Sequence, residues 1–135
     1  MIVDHHATIR RMHRAVFEAE HLEVSDAVDG ADGVRKAQEI KPDLIILDLA
    51  MPVMNGLKAA RALKLLMPLV PLLMFTNNAG EILKKDALVA GISVVCKSDS
   101  DSSKQLVAHA RALLGLDEVG GSRVSHPTDK NAARA

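Results

Sequence analysis

Asp48 closes the apolar run Leu44-Ile45-Ile46-Leu47 and opens a turn built from Pro52, Asn55 and Gly56. A continuous run of this kind reads as a strand covered on both faces, and a carboxylate at its end is not packing material. Two further runs end the same way. Leu72-Leu73-Met74-Phe75 leads into the hydroxyl of Thr76, and Val94-Val95-Cys96 leads into the ammonium of Lys97. In a parallel sheet the carboxyl ends of strands converge on one edge, so the three side chains share a pocket although they lie far apart in sequence. A carboxylate can attack a phosphoryl group and hold it as an acyl phosphate if a divalent cation and positive or donor side chains offset the repulsion between anions. Asp48 fits the acceptor, Lys97 a fixed cation pairing with a phosphoryl oxygen, and Thr76 a donor to that oxygen once it is present. Taken singly, Thr76 is a turn hydroxyl and Lys97 a solvated charge with a buried stem. Their joint placement outweighs those readings.

The elements that must position these groups alternate strand and helix five times, which argues for a parallel sheet with crossover helices. The expected strands are residues 1–4, 22–27, the Leu44 run, 70–75 and 92–96. The expected helices run to about Glu20, from Gly30 until Lys41-Pro42 stops it, and over 56–66, 80–90 and 102–114. The fold class expected is α/β, a doubly wound (βα)5 parallel sheet of five strands, flavodoxin-like. Residues 1–116 form one domain, and 117–135 lose apolar periodicity in a Gly-, Ser- and Pro-containing segment expected to be a disordered tail.

Bulk properties fit one small domain. Lys plus Arg and Asp plus Glu each number 17 of 135 residues, giving a formal charge of zero and no electrostatic footprint for nucleic acid or an anionic membrane. The apolar stretch from Leu65 to Phe75 is broken by Pro68 and Pro71 and falls far short of a membrane span. With no cleavable signal at the N-terminus, the chain is expected in the cytoplasm. The single cysteine, Cys96, reads as a small buried hydrophobe. Arg10, Arg11, His13 and Arg14 read as a solvated face of the first helix, while the methionines at 51, 54, 67 and 74 read as turn and core filler.

Four blocks together resemble the receiver domain of bacterial two-component response regulators, of the stand-alone chemotaxis type. They are Val3-Asp4-His5-His6-Ala7-Thr8-Ile9-Arg10, the Asp48 run with its Met51-Pro52-Val53-Met54-Asn55-Gly56 turn, Leu72 to Thr76, and Val94 to Ser98. The resemblance implies a phosphoacceptor switch: Asp48 takes a phosphoryl group from a histidine kinase or phosphotransfer protein. It also implies a Mg²⁺ site made by Asp4, Asp48 and the backbone carbonyl of Ala50. Phosphorylation would draw Thr76 inward and repack the face formed by the fourth helix, fifth strand and fifth helix, which a protein partner reads; homodimerisation stays open. The first helix would help dock the phosphodonor. With no output segment after the domain, the effect is expected to pass through another protein and not through an activity of this chain.

Departures from the family pattern carry their own expectations. His5 stands where a second metal-ligating acid belongs, which lowers the expected Mg²⁺ affinity and suits Mn²⁺ or a later transition ion. The alternative is that His5 turns to solvent and Asp4 serves alone. Val94 stands where an aromatic usually switches, so a tyrosine flip cannot transmit the signal. Asn77 replaces a small residue beside Thr76 and crowds the entrance. Ser98 follows Lys97 where many receivers have a cis proline, so that peptide bond is expected to be trans. An aspartyl phosphatase is disfavoured because Ala50 sits where its second acid would be. These departures also support a second reading, a degenerate receiver that acts as a phosphorylation-independent interaction module.

Overall fold

The computed structural model describes residues 1–77, 80–98 and 102–116. The expected tail at 117–135 lies outside the described residues. In chain order the elements are β1 (Ile2–Val3), α1 (Ala7–Ala19), β2 (Asp26–Ala27), α2 (Gly30–Ile40), β3 (Ile45–Asp48), α3 (Gly56–Leu66), β4 (Leu72–Thr76), α4 (Glu81–Val89), β5 (Val94–Lys97) and α5 (Ser102–Leu113). All strand pairs are parallel, in the order β2-β1-β3-β4-β5. This is the doubly wound order whose crevice opens where the connections from β1 and β3 diverge.

Alternation along β3 explains why its sequence is apolar without interruption. Ile45 and Leu47 face a core with Val3, Ala37, Ala59, Ala60, Leu63 and Met74, on the side of α2, α3 and α4. Leu44 and Ile46 face the other core, with Ile2, Phe17, Leu73, Phe75, Cys96 and Leu106, on the side of α1 and α5. Cys96 is buried and belongs to no disulfide among the described residues, as its setting among apolar residues suggested. Met51 and Met74 are buried and Met54 and Met67 pack against the same core, matching their reading as filler.

Three strands start later than expected: β2 and β4 for reasons of pairing, and β5 at Val94 because Ile92 N–H is taken by the Ala87 carbonyl at the end of α4. β2 is confined to Asp26–Ala27 because its only neighbour is β1, which offers Ile2 and Val3. Before it, Leu22 N–H bonds back to the Phe17 carbonyl across a left-handed His21 at φ 62°. β4 starts at Leu72 and not at Val70, since Val70 N–H closes a turn onto Met67 and Pro71 has no N–H to give. Caps fix the helices flanking the Asp48 turn: Asp29 accepts from Asp32 N–H at the start of α2, and Asn55 from Lys58 N–H at the start of α3. No helix among the described residues is long and apolar enough to cross a membrane.

The expectation of a solvated face for the first helix is corrected. Of Arg10, Arg11, His13 and Arg14, Arg11 alone is exposed. His13 is buried, edge-on to Phe75 with ring centroids 4.6 Å apart. Arg10 donates to the Asp4 carbonyl at 2.7 Å, and Arg14 to the Val24 carbonyl at 3.0 Å. Both arginines also approach Asp26, at 3.8 and 3.5 Å. The helix therefore uses two of its cations to tie β1 and β2 together.

Candidate functional site

The carboxyl ends of β1, β3, β4 and β5 surround a cleft of about 430 Å³ lined by Asp4, His6, Ile9, Asp48, Leu49, Ala50, Phe75, Thr76, Asn77 and Ser98. Asp48 is half-buried at the last position of β3 and stands opposite Phe75 in the β3–β4 register. Thr76 and Lys97 are paired across β4 and β5. The sheet thus brings the three strand-end residues to one edge.

Asp48 is held from below. Gly56 N–H donates to the Leu49 carbonyl at 2.9 Å, folding the Met51–Asn55 turn back onto the strand end. The approach leaves no room for a side chain at residue 56, because a Cβ there would overlap the Asp48 carbonyl oxygen. Val53, at the exposed tip of that turn, has φ 67°, a left-handed conformation that a β-branched residue adopts under strain. Burial is the main cause that pushes the Asp48 carboxyl above its ordinary pKa, and the neighbouring Asp4 charge adds to it. The Leu49 N–H and the His5 and His6 rings oppose the shift.

Asp4 is buried just beyond β1. Its Oδ1 accepts the His6 backbone N–H at 2.8 Å, and the His6 ring Nδ1 lies 3.2 Å from the same oxygen. His6 caps α1 with extended backbone angles, and this turn swings its ring back over the acid. His5 is partly exposed, with Nδ1 4.0 Å from Asp48 Oδ2. Its ring centroid is 3.8 Å from that of His6. Donor atoms of Asp4, His5, His6 and Asp48 all lie within 4.8 Å of one another. The sequence reading placed weight on His5 and missed His6, although the two histidines adjoin. The available signal was the step from strand end to helix start within three residues, which forces the residue before the helix to fold over Asp4.

The β4–β5 side is looser. Thr76 is buried, and Ser98 N–H donates to its carbonyl at 2.9 Å. Lys97 is exposed, and the cleft wall beside Thr76 is made by Asn77 and Ser98. The Lys97–Ser98 peptide is trans, and Val94 is half-buried against the α1–α5 core. Ala50 lines the cleft two residues beyond Asp48.

A fold of order 2-1-3-4-5 with an acid ending β3 and a second acid after β1 defines a class that comparison with known proteins then makes specific. The response regulator receiver domain model matches residues 1–109, and the chain belongs to that family. It is a receiver domain of two-component signalling. Over 95 residues it is 41% identical to a protein-glutamate methylesterase/protein-glutamine glutaminase of Vibrio vulnificus, covering 67% of this chain and 25% of that protein. A protein of the same description from Geobacter sulfurreducens is 33% identical over 140 residues, covering all of this chain and 39% of its own length. The chain therefore spans well under half the length of these relatives, whose full names describe enzymes. Among solved structures, the Vibrio cholerae chemotaxis protein CheY4 superposes with a TM-score of 0.77 at 26% identity, covering 83% of this chain and 94% of that one. The second reading, a degenerate interaction module, gains no support from these matches.

Proposed function

We propose that Asp48 accepts a phosphoryl group from a phosphohistidine of a histidine kinase or phosphotransfer protein. The observation that carries this reading is the half-buried Asp48 carboxylate facing a cleft shared with Asp4 and Thr76. One carboxylate oxygen attacks phosphorus, the donor imidazole leaves, and the product is an aspartyl phosphate. Asp4, Asp48 and the Ala50 carbonyl would hold Mg²⁺, or Mn²⁺, a fit favoured by their three oxygen donors and limited by His5 in the place of a further acid. The ion supplies charge neutralisation at the phosphoryl oxygens. Thr76 donates to one phosphoryl oxygen. Lys97 swings inward from solvent to pair with another.

The signal leaves through the face of α4, β5 and α5. Support comes from Leu88 and Val89, large apolar residues exposed on α4, which suit a protein partner better than water. In the longer relatives a receiver-sized segment is part of an enzyme, so the partner is either another protein or a further domain of the same polypeptide. A cytoplasmic setting follows from the phosphodonor.

Incubation with acetyl phosphate and Mg²⁺ followed by intact mass measurement tests the reading. Wild type should gain one phosphoryl group and Asp48→Asn none. A phosphoryl adduct of equal yield in Asp48→Asn would move the acceptor elsewhere.

A further inference from the structure

The turn from β1 into α1 places two imidazoles beside two carboxylates, a donor set unlike the all-oxygen one that suits Mg²⁺. Asp4, His5, His6 and Asp48 each offer a donor atom within 4.8 Å of the others. A tetrahedral ion with bonds of about 2.0 to 2.2 Å sets its ligand atoms about 3.4 Å apart. The separation of His6 Nδ1 from Asp4 Oδ1 is 3.2 Å, and that of His5 Nδ1 from Asp48 Oδ2 is 4.0 Å, so these two pairs bracket that spacing. The two histidine side chains are 36% and 58% exposed, which leaves them room to rotate toward the carboxylates. The carboxylates are already fixed, Asp4 by the His6 N–H and Asp48 by the strand end.

We propose that these four side chains form a closed site for a first-row transition dication, Zn²⁺ foremost, and that its occupancy withdraws Asp48 from phosphoryl transfer. Imidazole nitrogen suits zinc and its neighbours, whereas Mg²⁺ demands oxygen and keeps much of its water. Two carboxylates balance the charge of the dication. Four protein ligands fill a tetrahedral shell, the arrangement of structural zinc sites, and leave no position for a phosphoryl oxygen. The oxygen of Asp48 engaged by the ion is then not free to attack phosphorus. The second half of this proposal rests on Asp48 being the phosphoacceptor; the first half does not.

Co²⁺, whose visible bands distinguish tetrahedral from octahedral coordination, serves as the probe for the chelator-stripped protein, with Zn²⁺ as competitor. Wild type should bind one Co²⁺ with intense tetrahedral bands, lose them to one equivalent of Zn²⁺, and keep them in excess Mg²⁺. His5→Ala/His6→Ala should weaken Co²⁺ and Zn²⁺ binding by at least ~100-fold, more than the loss of a merely supporting residue near a metal. Both residues are on the surface, and a matching thermal transition in the ion-free variant establishes that it folds. Weak octahedral bands that are unchanged in the double variant would overturn the site. In the second arm, one equivalent of Zn²⁺ added before acetyl phosphate and Mg²⁺ should suppress the phosphoryl adduct in wild type but not in the double variant. An adduct that persists at saturating Zn²⁺ would overturn the withdrawal of Asp48. Absence of the adduct even without Zn²⁺ would instead overturn the phosphoacceptor reading, and the Co²⁺ spectra would still decide the metal site.

Discussion

The two sides of the cleft are built to different standards of rigidity. On the β1–β3 side, Asp4 is buried, its carboxylate is bound by the backbone that follows it, and its carbonyl is held by Arg10. Asp48 rests on a turn clamped by Gly56. On the β4–β5 side, Thr76 is buried but Lys97 reaches into solvent, and Phe75, just before Thr76, packs on a histidine whose ring nitrogens have no hydrogen-bond partner among the described residues. One side holds negative charge in place before any ligand arrives. The other carries Thr76 and Lys97, the groups that on the proposed function would engage a phosphoryl oxygen once it is present. The contrast suits a switch, because the part that must respond should not already be locked.

The clamp under Asp48 is the feature whose loss should matter most. Gly56→Ala sets a methyl against the Asp48 carbonyl and should destabilise the fold by about 2 kcal/mol, within the range for overpacked sites. It should also slow phosphorylation of the folded fraction. Urea unfolding read by circular dichroism checks the first effect, and a midpoint equal to that of wild type would mean the clamp is slack.

His13 sharpens the comparison from the responsive side. Burial holds its pKa below the ordinary 6.5, with the Asp4 charge opposing. The folded ring therefore takes up a proton less readily than the unfolded one, which does so near 6.5. Its contribution is full above the unfolded value and is lost as pH falls below 6.5 toward the folded value. His13→Leu removes two unpartnered polar atoms and should stabilise by about 1 to 2 kcal/mol at neutral pH. The advantage of His13→Leu should widen between pH 7 and 5. Parallel pH profiles for the two proteins would show that His13 titrates normally.

Val53 and Asp48 offer smaller effects on the rigid side. Val53→Asn relieves a β-branched residue at positive φ and should stabilise by about 1 kcal/mol, read as a shift in the urea midpoint. Asp48 has a folded pKa above the ordinary 3.8. It favours the fold below 3.8 and loses that contribution as pH rises through its folded value. Asp48→Asn should therefore raise Tm at pH 7 in metal-free buffer, with the gain vanishing below pH 3.8. A gain that persists in acid would place its cause outside the carboxylate pair.

Much of this contrast was legible in the residues. The runs ending in Asp48, Thr76 and Lys97 announced buried parallel strands because both faces of each need apolar side chains. The turn after Asp48 was legible through Asn55 and Gly56. What was hidden depended on partners distant in sequence. The length of β2 is set by β1, and the fate of His13 by Phe75, which lies on β4. A local cue to His13 existed, since it stands four residues from both Ile9 and Phe17 on one helical stripe. The charges of its neighbours Arg10, Arg11 and Arg14 masked it. His6 was obscured by the pattern it sits in, where attention falls on the residue next to Asp4.

The claim that the rigid side receives the phosphoryl group and the loose side responds is tested most directly by amide hydrogen exchange, comparing wild type with and without acetyl phosphate and Mg²⁺. Protection should rise at Thr76, Asn77, Lys97 and Ser98, change along α4 and β5, and stay constant at Val3 and in α2. Asp48→Asn should show none of these changes. Protection that rises mainly in β1 and α2, or identically in Asp48→Asn, would contradict the account.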